Sequence, residues 1–319
     1  MLPPENDPQN DNPSASQRSP RQVVEDCLEI LQGIGISPPK DITDTVDLPT
    51  LLKDCQNLLA KSQENSDRHI SVIHHFACTG GTVLCKYIAA MPNVCLLSEI
   101  DPLSHMNVNI QAPKFNPSDI LSHLKHSNRY LGNSSIIDIY KQTMLETRRQ
   151  TNKLGLRLVI RDHAHSHYCY SPQDIKRTSH STILKSIFKC HSVVTVRHPV
   201  ESYISLMNND WVHFSPKNFE EYCRRYHLFL DHHQDDDIFR YEDFLNDPVS
   251  VVQSICKSMK IDYDHRASNL FDAVELTGNS GRGGKFIKKL PAKIVPEELS
   301  REIQSSSQYH TLIERLDYQ

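Results

Sequence analysis

Residues 69–84 read HISVIHHFACTGGTVL, and this stretch decides the fold. A short apolar run, Ile70 to Ile73, has strand composition. It passes through a small-residue turn, Thr79-Gly80-Gly81-Thr82, into a helical pattern. Gly80 and Gly81 carry no side chain, so the turn can take positive φ and bring its N–H groups close to an anion. The helix that follows aims its unsatisfied N–H groups and positive dipole end at the same place, and Thr79 and Thr82 offer hydroxyls. Taken alone, the segment also suits a plain strand-to-helix turn.

A second strand-to-helix unit lies at 192–206, SVVTVRHPVESYISL. Its apolar strand ends in Arg197, and Ser205 follows eight positions later. Two anion-type sites at two strand ends describe a chain that grips a nucleotide at both of its ends. The first loop is not the ATP- or GTP-binding P-loop, GxxxxGK[ST], because no Lys follows Gly80 or Gly81. Lys86 lies a helical turn beyond Thr82, too far along to serve directly. An ordinary kinase or NTPase is disfavoured.

Working outward, strands are expected near 70–75, 93–97, 155–160, 192–196 and 237–241. Helices are expected near 82–90, 117–126, 134–150, 199–208, 217–231 and 248–259. Alternating strands and helices predict an α/β fold, a parallel sheet flanked by helices. Ligands in such sheets bind beyond the carboxyl ends of the strands. Gly80, Glu99, Arg161, Arg197 and Tyr241 all fall near expected strand ends. The chain of 319 residues is long enough for one large domain and an appendage. Residues 1–20 are rich in Pro, Asn and Ser and read as a disordered tail. Residues 21–68 read as a helical extension with apolar side chains at helical spacing over 21–33 and 48–61. The α/β domain is expected over 69–319.

These motifs, in this order, resemble the sulfotransferases that use 3′-phosphoadenosine 5′-phosphosulfate (PAPS). In that family a loop of the form [KR]-S-G-T-T holds the 5′-phosphosulfate, and Cys78-Thr79-Gly80-Gly81-Thr82 is similar to it. A strand-end Arg with Ser eight residues on binds the 3′-phosphate, which implies that role for Arg197 and Ser205. A late Gly-rich basic segment closes over the nucleotide, and Arg282, Gly283 and Gly284 in NSGRGGK (279–285) match it. Residues 240–248, RYEDFLNDP, resemble a family segment with a structural role. The resemblance covers about residues 69–290. It implies a P-loop-like sulfotransferase architecture and sulfuryl transfer from PAPS, with PAP (3′,5′-adenosine bisphosphate) as product, to a hydroxyl or amine of a small-molecule or glycan-type acceptor.

Two bases are candidates. Ile160-Arg161-Asp162-His163 is similar to the family's I-K-T-H segment, which implies that Arg161 contacts the transferring sulfonate and His163 deprotonates the acceptor. A His suits base chemistry near neutral pH. Glu99, in LLSEIDP, matches the base of other branches, and both residues stay open. The departure from the family is Cys78, where its loop carries Lys or Arg. Arg161, Lys86 and Arg282 are the cations that can compensate, Arg161 first; otherwise the enzyme runs slowly, or the chain is a nucleotide-binding relative without activity. A third reading takes HAHSH (163–167) as extended, with His163, His165 and His167 on one face as metal ligands of a hydrolase. The transfer scheme itself requires no metal. The histidine pairs 74–75 and 232–233 are expected on surfaces, and 235–237 as a solvated turn. The segments 101–135 and 211–226 are expected to line the acceptor.

Lys and Arg number 35 against 39 Asp and Glu, for a net charge of −4, which gives no reason to expect nucleic-acid binding. No apolar run approaches the ~18 residues of a membrane span. The first twenty residues have no secretory apolar core. The nine cysteines form no CxxC pair and read as reduced thiols, pointing to a cytoplasmic location.

Overall fold

The computed structural model describes residues 68–104, 106, 119–125, 127–170, 174–274, 276 and 293–318. The tail and, but for Arg68, the helical extension lie outside the described residues. So do Arg282, Gly283, Gly284 and, within the acceptor segment 101–135, residues 105, 107–118 and 126. Five strands form one sheet: β1 (His69–His75), β2 (Val94–Ile100), β3 (Arg157–Asp162), β4 (Lys189–Val196) and β5 (Asp237–Arg240). Their order is β2-β3-β1-β4-β5, and every neighbouring pair is parallel. The chain leaves β1 towards β2 and β3 on one side, then crosses to β4 and β5 on the other. The carboxyl end of β1 is therefore the switch point where an α/β sheet opens a ligand crevice.

Helices cover both faces, which is why the strands are apolar runs rather than alternations. On one face Ile73, Val159 and Val193 pack against the helices Gly81–Ala89 and Pro248–Ser258 through Leu84, Ile88, Val252 and Ile255. On the other, Val72, Leu158 and Ile160 meet the helix Asn133–Lys153 through Ile136, Tyr140 and Met144. Further along the same face, Phe76, Val194 and Val196 meet the helices Pro199–Asn208 and Phe219–Asp231. The helices Glu297–Ser305 and Ser307–Arg315 close this end with Leu299 and Leu312. Among the described residues no helix is long and apolar enough to cross a membrane. Among the described residues Cys85 and Cys169 are buried thiols outside any disulfide.

Each expected strand is present. The six expected helices are also present, the one near 117–126 over Ile120–Lys125 among the described residues. HAHSH departs from the extended reading: Ala164–Tyr168 is a helix, so the i, i+2 alternation does not put three histidines on one face. The histidine pairs depart too. His74, His75 and His233 are buried, because β1 is covered on both faces and the end of Phe219–Asp231 packs onto it. In the turn before β5, Asp236 is half-buried and its carboxylate accepts a hydrogen bond from His233, while Asp235 and Asp237 are exposed.

Candidate active site

The turn after β1 is held by its own backbone. The Thr79 hydroxyl donates to the Phe76 carbonyl at 2.8 Å, and Thr79 N–H donates to the same oxygen at 3.4 Å. That hydroxyl braces the turn and is buried, unlike the free donor expected from sequence. Cys78 and Gly80 take φ of 62° and 82°. A Cβ on Gly80 would stand 2.2 Å from the Tyr241 ring, and one on Gly81 would stand 2.6 Å from the His75 ring. The two glycines thus allow a ring to press on each side of the loop. Gly80 caps the helix Gly81–Ala89 without a side-chain bond, which leaves the first N–H groups of that helix unpaired by a cap.

Arg161 projects from the end of β3 and is only 3% exposed. Its Nη2 lies 2.7 Å from Glu99 Oε1, 2.9 Å from the Thr82 hydroxyl oxygen and 3.1 Å from His75 Nε2, and its Nη1 donates to Ser98 at 3.0 Å. Burial, with the Arg161 charge beside it, holds His75 well below its ordinary 6.5, so the ring is neutral and accepts from the guanidinium. Glu99 has φ of 61° and sits where the β2–β3 register shifts between Leu97 and Ile100. This irregularity brings its carboxylate to Arg161, with Oε2 3.3 Å from His163 Nε2. The two candidate bases are therefore in contact with each other.

At the end of β4, Arg197 reaches across to the first loop. Its Nη1 lies 3.5 Å from the Cys78 carbonyl oxygen and 3.5 Å from the Ser205 hydroxyl, its Nη2 lies 3.1 Å from Glu201 Oε2, and its guanidinium sits 5.2 Å from the Tyr241 ring centre. The backbone of Arg197 is clamped by the Tyr226 hydroxyl, which accepts from its N–H and donates to its carbonyl. Tyr226 is thus buried support rather than acceptor lining. Lys293 joins this cluster: its ammonium hydrogen-bonds Ser205 and donates to the Glu201 carbonyl at 2.9 Å. Burial, and then the charge of Arg197, lower its pKa.

Cys78, Thr79, Gly80, Gly81, Thr82, Glu99, Arg161, His163, Arg197 and Ser205 all line one cavity of about 500 Å³, together with His75, Lys86, Met106, Asn209, Trp211 and Phe271. Sequence reasoning missed Lys293 and kept Lys86 only as a cation that can compensate for Cys78. Lys86 lies four residues after Thr82, hence on the same helix face. It is buried in the cavity wall with its ammonium 5.0 Å from the Phe271 ring centre. That spacing was a signal for Lys86. Nothing in sequence signalled Lys293, which is 88 residues from Ser205 and belongs to no motif. His163 and His165 have ring centres 6.3 Å apart, and among the described residues neither belongs to a cluster with metal-ligand spacing.

The cavity can bind a long anion along cationic and N–H groups and present a base pair beside it. No protein-family model matches the chain, and no curated protein matches it. Among solved structures the chain is similar to a sulfotransferase domain from the curacin biosynthetic pathway (15% identity, TM-score 0.48, 79% of this chain and 98% of that one). It is also similar to the sulfotransferase domain of a Synechococcus olefin synthase (16%, 0.45, 79% and 96%). A mouse sulfotransferase complexed with PAP is similar as well (14%, 0.40, 80% and 93%).

Proposed function

We propose that this chain transfers a sulfuryl group from PAPS to a hydroxyl or amine of an acceptor. The observation that carries the reading is the meeting, in one cavity, of the 78–82 loop, the Arg161–Glu99–His163 group and the Arg197–Ser205 pair, which come from four different strand ends. The loop N–H groups and Lys86 hold the 5′-phosphosulfate. Arg197, Ser205 and Lys293 hold the 3′-phosphate, and the planar fork of Arg197 suits bidentate contact with it. The unassigned Arg282, Gly283 and Gly284 are proposed to close over the nucleotide.

In the transfer, the acceptor oxygen or nitrogen attacks sulfur, the sulfur–oxygen bond to the 5′-phosphate breaks, and PAP leaves with that electron pair. His163 takes the acceptor's proton, and Glu99, 3.3 Å away, stabilises the imidazolium so formed. Arg161 and the loop N–H groups offset charge on the departing oxygen. The rate gain is positioning and electrostatics, as in phosphoryl transfer. Trp211, 37% exposed at the cavity wall, is proposed to meet the acceptor.

One observation favours a second reading. Cys78 supplies no charge, and Arg161 is already paired with Glu99, so a nucleotide-binding relative without turnover fits the same cavity. Incubating the protein with PAPS and a panel of phenols, alcohols, amines and glycans, and measuring PAP release, separates the two. Acceptor-dependent PAP release establishes the enzyme. PAP binding without release across the panel establishes the second reading.

A further inference from the structure

A buried polar seam crosses the sheet face opposite the helix Gly81–Ala89. The Tyr140 hydroxyl lies 2.6 Å from His180 Nε2, His180 Nδ1 lies 3.0 Å from Asp162 Oδ1, and Asp162 Oδ2 lies 2.9 Å from His74 Nδ1. Asp162 sets one carboxylate oxygen against each histidine and, as the acceptor common to both, takes a hydrogen bond from His74 Nδ1. With Nδ1 donating, the lone pair of the His74 ring is on Nε2. This atom is buried and makes no hydrogen bond. Leaving such an acceptor dry and unpaired is costly.

His233 and Asp236 stand against it. The His74 and His233 rings are 4.0 Å apart centre to centre, and His233 Nδ1 is 2.9 Å from Asp236 Oδ2. One ring nitrogen from each histidine and one Asp236 oxygen lie within 4.8 Å of one another. We propose that His74, His233 and Asp236 form a buried zinc site that ties the central strand β1 to the turn entering the edge strand β5. Two imidazole nitrogens and a carboxylate oxygen are a zinc donor set. The His74–Asp162 bond is the outer-shell carboxylate that fixes a ligand histidine's tautomer. Tetrahedral ligands at zinc stand ~3.4 Å apart, so loading draws the His74 nitrogen inward by about an ångström and spreads the 2.9 Å His233–Asp236 pair, the ion replacing the proton between them. The site is on the sheet face opposite the helix Gly81–Ala89, none of its three residues lines the cavity of the transfer scheme, and its role is structural.

The test uses the full chain, stripped with a chelator, desalted and reloaded with Zn²⁺ alone. About one zinc per chain should be retained, with a raised melting temperature. Asp236→Asn and His233→Gln should each weaken retention at least ~10-fold. His191→Gln should not, although His69 and His191 form a second stacked pair, Nδ1 to Nε2 2.7 Å, that offers a rival site. X-ray absorption at the zinc edge of the unmutated protein needs no variant and should show two imidazoles and a carboxylate. Absence of retained zinc, retention unchanged in both Asp236→Asn and His233→Gln, or an absorption spectrum lacking histidine ligands overturns the proposal.

Discussion

Arg161 and Glu99 form the most closely held ion pair of the cavity, Nη2 to Oε1 2.7 Å, between a guanidinium that is almost fully buried and a carboxylate on a left-handed backbone. Non-glycine residues with positive φ are uncommon, and the strain of such a position persists only where its surroundings enforce it. Here the β2 register shift and the four contacts of Arg161 enforce it. The pair makes Arg161 a fixed, oriented charge beside Thr82, but one whose field is partly cancelled before any ligand arrives.

Removing that charge tests whether Arg161 compensates for Cys78. Arg161→Ala should cut turnover far more than it weakens PAP binding, and should cost about 3 kcal/mol of stability as a broken buried pair. Rates should therefore be compared well below the melting temperature. Cys78→Lys should be tolerated, since the φ of 62° is no worse for Lys than for Cys, and turnover should hold or rise. Normal PAPS turnover by Arg161→Ala would hand the role to Lys86 or Arg282.

The contact between His163 and Glu99 predicts coupling. His163→Ala should lower turnover by about 100-fold with PAP affinity nearly intact. Glu99→Gln should also lower it, and the double variant should lose less than the product of the two single losses, because the residues act as one unit. Steady-state rates and PAP titrations on the three variants decide this. A fully active His163→Ala beside an inactive Glu99→Gln moves the base to Glu99.

Much of this was legible because β1 and β4 carry local signals. An apolar run followed by the Gly80-Gly81 turn and another ending at Arg197 marked two strand ends, and parallel pairing then brought together residues more than a hundred positions apart. Burial of His74, His75 and His233 was not legible: it depends on helices covering both sheet faces, and a histidine pair in a strand looks the same whether covered or not. The helix at Ala164–Tyr168 hid behind an alternating HAHSH pattern, where five residues are too few for periodicity to separate helix from strand. The β2 irregularity at Glu99 left no mark in sequence, since nothing in LLSEIDP demands a positive φ.

Gly80 is held to glycine by its φ of 82° and by the Tyr241 ring. Gly80→Ala should destabilise the fold by about 2 kcal/mol or more and weaken PAP binding. Combining it with Tyr241→Ala should relieve the steric part of the PAP-binding loss and leave the conformational part. Calorimetric melting and PAP titration of both variants check it; a Gly80→Ala protein as stable as the original would contradict the loop geometry.

Acid stability should reflect His165 and His167. Burial, with His163 and His213 nearby, pushes His165 down to about 3; burial, with Arg177 nearby, pushes His167 down to about 4. Below 6.5 these rings take up protons only when the chain unfolds. Their contribution is complete above 6.5 and is lost as pH falls towards 4, at about 1.4 kcal/mol per pH unit for each ring. Urea titrations between pH 7 and pH 4.5 should show this slope, and His167→Gln should flatten it by one proton. Equal slopes for the two proteins would contradict the buried neutral His167.

The central claim is that the cavity holds a nucleotide phosphorylated at both its 3′ and 5′ positions, and isothermal titration of PAP tests it most directly. PAP should bind stoichiometrically and ATP much more weakly. Arg197→Ala should lose about 2–3 kcal/mol of PAP affinity, the strength of a charge-assisted contact. PAP binding no better than ATP, or unchanged in Arg197→Ala, would contradict the account.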